Sequence, residues 1–77
     1  MSFEEFKAEI LSLAGSRPKG WRFGQFVFNC VEQNYPGVGR CVQSDDGVDC
    51  FYDDSQVDEF LRLAYEVIAK SNIAKEG

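Results

Sequence analysis

Seventy-seven residues with thirteen acids, eight bases, no histidine and a net charge of −5 argue against a general nucleic-acid binder, whose affinity rests on lysine and arginine neutralising phosphates. The length allows one small domain, expected over residues 1–70 with a frayed tail over 71–77. A hydrophobic fraction of 44%, with seven Phe, three Tyr and one Trp, excludes a disordered chain. The longest apolar run is far too short to span a bilayer, and Met1-Ser2-Phe3-Glu4-Glu5 is unlike a secretory leader. The three cysteines lack C-x-x-C spacing and read as reduced thiols, so a cytoplasmic protein is expected.

Ser2 followed by Glu5 is a capping box, which predicts a helix from Phe3. Phe3, Phe6, Ile10, Leu13 and Ala14 recur at three- and four-residue steps and form its apolar stripe. Glu4, Glu5, Lys7 and Glu9 lie off that stripe, and Gly15 is a natural stop. A second helix is predicted from Trp21 to Tyr35, ended by Pro36-Gly37. Phe23, Phe26, Val27, Cys30 and Val31 give it a wide apolar face. Arg22, Gln25, Asn29 and Glu32 or Gln33 make a narrow polar stripe. Gly24 inside this helix costs about 1 kcal/mol relative to Ala, which close approach of another backbone would offset.

Val38–Gln43 and Val48–Phe51, joined by the turn-forming Ser44-Asp45-Asp46-Gly47, read as a short β-hairpin, or alternatively as an irregular loop with a helical turn. A third helix is predicted from Asp54 or Ser55 to Lys70. Ser55 and Asp58 form its capping pattern, and Asp53 and Asp54 suit the positive end of its dipole. Val57, Phe60, Leu61, Ala64 and Ile68 form the buried stripe. Asp58, Arg62, Glu66 and Lys70 alternate in sign at four-residue steps and predict weak pairs on a solvated face. The expected fold is therefore mainly α: three helices with a hairpin or ordered loop between the second and third. Phe6, Ile10, Leu13, Phe23, Val27, Val31, Phe60, Leu61 and Ala64 are its expected core.

Specific chemistry is sparse. An EF-hand reading from Asp49 fails because Phe51, Asp54 and Phe60 occupy decisive positions. Cys30, Cys41 and Cys50, even with Asp49, lack the spacing of a zinc site, and buried apolar thiols are the plainer reading. No metal and no cofactor are expected. Without histidine the commonest neutral-pH acid–base group is missing, and Cys50 is the best-placed nucleophile in a chain that leans away from catalysis.

Arg22-x-Gly24-Gln25-x-x-x-Asn29, followed by Asp49-x-Phe51-Tyr52-Asp53-Asp54 and a helix containing Phe60-Leu61, resembles a small uncharacterised family of bacterial and phage proteins. The resemblance covers residues 22–61 and departs at Cys50, where other members can have Pro. It implies a kind of host and no mechanism.

On the residues themselves, Arg22, Gln25, Asn29 and Asp49 read either as a structural cluster or, with Tyr52, as a ligand or enzyme site. In the structural reading Arg22 pairs with Asp49, Asp53 or the Tyr52 hydroxyl and ties the second helix to the start of the third. Asp45, Asp46, Phe51, Tyr52 and Asp53 form an acidic–aromatic surface suited to a basic protein partner. Arg17, Lys19 and Arg22 are a basic cluster whose nucleic-acid reading the overall charge disfavours. No membrane association is expected, and a leftover apolar edge on the hairpin, or Leu11 and Leu63, offers a surface for a homodimer.

Overall fold

The computed structural model describes residues 2–71, without the side chains of Ala14 and Ser71. Its helices are α1 (Phe3–Ala14), α2 (Phe23–Asn34), α3 (Val38–Cys41), which widens into a π-helical turn over Val42–Asp46, and α4 (Val57–Ser71), entered through a 3₁₀ turn at Asp54–Gln56. The protein is mainly α, and no strand occurs among the described residues. Any fraying beyond Ser71, like the contribution of Ala14 to the α1 stripe, lies outside the described residues.

The expected capping box starts α1: the Ser2 hydroxyl accepts from the Glu5 amide at 3.2 Å and Glu5 accepts from the Ser2 amide at 2.8 Å. Phe6 and Ile10 are fully buried, and Phe6 meets Tyr35 edge-on at 5.5 Å. Glu9, expected in water, accepts from the Tyr35 hydroxyl at 3.0 Å. Leu13 is a correction to the expected core. It is 39% exposed, because the last turn of α1 and the loop through Gly20 run out past the packed elements. Phe23, at the first position of α2, is only half-buried and carries the Arg17 guanidinium 5.6 Å from its ring centre.

The hairpin is not formed. In a strand, Val38, Arg40 and Val42 would share one face, so burying the valines would also bury an arginine. In a helix Val38 and Val42 lie one turn apart and are fully buried, while Arg40 turns out to solvent. Glu32 completes the choice. Its carboxylate accepts from the Arg40 amide at 2.7 Å and the Gly37 amide at 3.2 Å, capping α3 from the preceding helix. Gly37 enters α3 with φ 89°, a left-handed conformation that glycine adopts without a Cβ penalty. A Cβ on Gly39 would lie 2.9 Å from Glu32 Oε1 and 3.3 Å from Phe28, so a larger residue there would displace the capping carboxylate and press on the ring.

Val48 (8% exposed) and Cys50 (0%) still alternate inward as a returning strand would, but along an irregular segment. Its backbone groups are met by side chains instead of a ladder: the Asp49 amide donates to Gln56 at 3.1 Å and the Phe51 amide to Asp49 at 2.9 Å. Phe28, on the supposedly polar side of α2, joins the core, tilted against Phe60 at 5.5 Å.

At the start of α4, Ser55 does not cap. It donates from its amide (3.0 Å) and hydroxyl (2.6 Å) to Asp53, which is the capping residue. The charges of α4 also pair differently from expectation. Asp58 reaches Lys7 at 3.5 Å and Arg62 lies 5.0 Å over the Phe3 ring, so both lean on α1. With Asp58 almost fully exposed, its ion pair contributes little.

Removing the Glu32 cap tests this account of α3. Glu32→Ala should destabilise the protein by about 1 kcal/mol and Glu32→Gln, which keeps one acceptor oxygen, by less, as measured by guanidinium denaturation.

Candidate functional site

The two halves of the motif meet at the start of α2. A helix leaves its first amides without partners, and Arg22, which precedes α2, has no side-chain oxygen to offer them. Asp54 supplies it: its Oδ1 accepts from the Gly24 amide at 2.9 Å and lies 4.0 Å from Arg22 Nε. The Arg22 guanidinium donates to the Phe51 carbonyl. From the other side, the Cys50 thiol donates to the Gly24 carbonyl at 3.3 Å.

The close approach that Gly24 implied is therefore present. A Cβ at this position would stand 2.1 Å from the Cys50 carbonyl oxygen and 2.8 Å from Asp54 Oδ1. Arg22 does bridge α2 to the lead-in of α4, through the Phe51 carbonyl and beside Asp54. It does not use Asp49, Asp53 or the Tyr52 hydroxyl. Asp54 was missed as a contact residue because its place before a helix already suggested a dipole role.

The remaining polar candidates are not brought together. Asp49 accepts from Gln43 at 2.8 Å and from the Phe51 amide, closing its own turn. Asp53 accepts from Ser55 and, at 3.2 Å, from Gln56; the Ser55 bonds hold its carboxyl below the usual range. Gln25 and Asn29 are half-buried, and neither side chain makes a hydrogen bond among the described residues.

The aromatic candidates do form a unit. Phe51 stands edge-on to Phe28 at 5.7 Å and to Tyr52 at 4.8 Å. Tyr52 is 73% exposed, with the Arg22 guanidinium 5.9 Å from its ring centre. Next to it Phe28, Arg40, Gln43, Phe51 and Tyr52 line an open depression of about 200 Å³. Asp45 and Asp46, at the end of the π-helical turn, and Asp53 are exposed.

The thiols are engaged separately. Cys30 and Cys50 are buried, and Cys41 donates to Asp45 at 3.3 Å. Among the described residues no three His, Cys, Asp or Glu side chains converge as a metal set. Burial, then the Asp49 charge, pushes the Cys50 thiol up to about 12, which makes it a poor nucleophile at neutral pH. Among the described residues, no helix is long and apolar enough to cross a membrane. No family model, curated protein or solved structure matches the chain.

Two measurements follow from this geometry. In Gly24→Ala the clash outweighs the gain in helix propensity, and urea denaturation should show a net loss of about 1–3 kcal/mol. The second concerns alkaline pH. Cys50 has an ordinary value of 9.0, and Tyr35, raised from 10.0 to about 12 by burial and then by Glu9, also holds its proton longer when folded. Above these ordinary values the unfolded chain binds fewer protons than the native one, so the stability these two groups contribute is fully present below pH 9.0 and is lost as pH rises towards 12. Melting curves across this range should show the fall, and Cys50→Ala should make it shallower without moving its onset, because burial of Cys30 and the Asp45 hydrogen bond to Cys41 raise those thiols from the same ordinary value of 9.0.

Proposed function

We propose that this domain is a non-enzymatic interaction module working in the cytoplasm of a bacterium, or carried there by a phage or mobile element. It docks a basic protein partner through Phe51, Tyr52 and the acids Asp45, Asp46 and Asp53. The observation that carries the reading is Tyr52, a large ring 73% exposed yet seated against Phe51 and Arg22. An exposed aromatic on a packed support loses little freedom on binding, which is what a hot-spot residue needs. The exposed acids favour lysine and arginine on the partner and act mainly on encounter rate and choice of partner.

The carboxylates and the thiol that a catalytic reading would use are already occupied, and Gln25 and Asn29 are not brought together with them. Asp49 and Asp53 hold local turns, Asp54 holds the start of α2, and the Cys50 thiol is buried and protonated. The resemblance of the two motifs to bacterial and phage chains supports the proposed host.

Affinity capture from a bacterial lysate compares the parent with Tyr52→Ala/Asp46→Lys, both positions being exposed. The double variant should melt with the parent and lose the proteins that the parent retains. Equal recovery by both would overturn the proposal.

A further inference from the structure

The depression next to Tyr52 carries three kinds of group that local structure leaves open. Phe28 and Phe51 give it an apolar aromatic floor. The Arg40 guanidinium, exposed on α3, makes no ion pair or hydrogen bond among the described residues, while the Arg40 amide is the group held by Glu32. The Gln43 side-chain nitrogen donates to Asp49, which orients the amide and leaves its carbonyl oxygen as an uncommitted acceptor. The nearby carboxylates of Asp49 and Glu32 already accept from Gln43 and from backbone amides, which offsets their repulsion of an incoming anion.

An occupant must therefore offer a carboxylate, an N–H and an apolar side chain within about 200 Å³, room for one large residue. The last residue of a polypeptide carries all three on adjacent atoms. A mid-chain residue lacks the carboxylate, and an aspartate or glutamate lacks the apolar side chain. Asp45 and Asp46 follow Gln43 in the same π-helical turn, so residues upstream of that terminus meet acids if they are basic.

We propose that the depression binds the C-terminal residue of a basic partner chain. Its carboxylate pairs with Arg40, its N–H meets the Gln43 carbonyl, and its apolar side chain lies on Phe28 and Phe51. This inference rests on the docking reading above and names the part of the partner that docks.

The test is fluorescence anisotropy with a labelled lysine-rich decapeptide ending in Phe, prepared as the free acid and as the C-terminal amide. An acidic surface alone would favour the amide, which carries one more net positive charge. The proposal expects the free acid to bind about tenfold tighter, since a charge-assisted hydrogen-bonded pair is lost with the amide. Arg40→Gln, at an exposed position, should erase that preference without changing the melting curve. Tyr52→Ala should weaken both peptides. Equal affinity for the two peptides, a preference that survives Arg40→Gln, or binding of neither would overturn the inference. Equal affinity would leave the docking reading standing, and the capture experiment decides that reading by itself.

Discussion

The carboxylate of Asp54 at the Gly24 amide is the contact on which the arrangement of the helices depends. A helix start needs an acceptor for its first amides, usually from the residue just before it. Here the acceptor comes from thirty residues downstream. The lead-in to α4 must therefore lie across the opening turn of α2, and only a residue without a side chain lets it come so near. Gly24, the Cys50 carbonyl and Asp54 thus fix one another. Arg22, bound to the Phe51 carbonyl, closes the same junction from outside and leaves Tyr52 displayed beyond it.

Glu32 repeats the device at α3, again with a glycine, Gly39, giving way to the capping carboxylate. Much of the acidity in this chain is thereby structural. Glu32, Asp49, Asp53 and Asp54 accept from backbone amides, a use that suits carboxylates at helix starts and turns. Asp45 and Asp46 are not used in this way. Read by composition the acids form one cluster; read by geometry Glu32, Asp49 and Asp54 build the frame, Asp45 and Asp46 stand outside it, and the exposed Asp53 caps a turn while still facing solvent.

How far the sequence could be read followed the range of the interactions involved. The start of α1 was legible because Ser2 and Glu5 are local to each other, and the stripe of α4 because its period is repeated over several turns. The segment from Val38 to Asp46 was legible only as a choice between a hairpin and a loop with a helical turn, of which the helical alternative is the one formed. Val38 and Val42 fit a period of two as well as a turn of helix, and what decides between them is Glu32 and Phe28 on another element. The Gly24 anomaly pointed to a close neighbour without naming Asp54. The shared edge of Arg22, Gln25 and Asn29 was equally visible, but spacing alone does not tell that Arg22 is tied to a distant carbonyl while the two amides are not.

Because the start of α2 is completed by a residue encoded so much later, the order of synthesis matters. A nascent chain that has reached Asn34 holds all of α2 yet still lacks the carboxylate that finishes its first turn. Much of the lining that buries Phe28 and Val31 is also still untranslated. On the ribosome the first half of this protein should stay loosely helical, and a cooperative fold should arrive only once Asp54 and α4 have emerged from the exit tunnel.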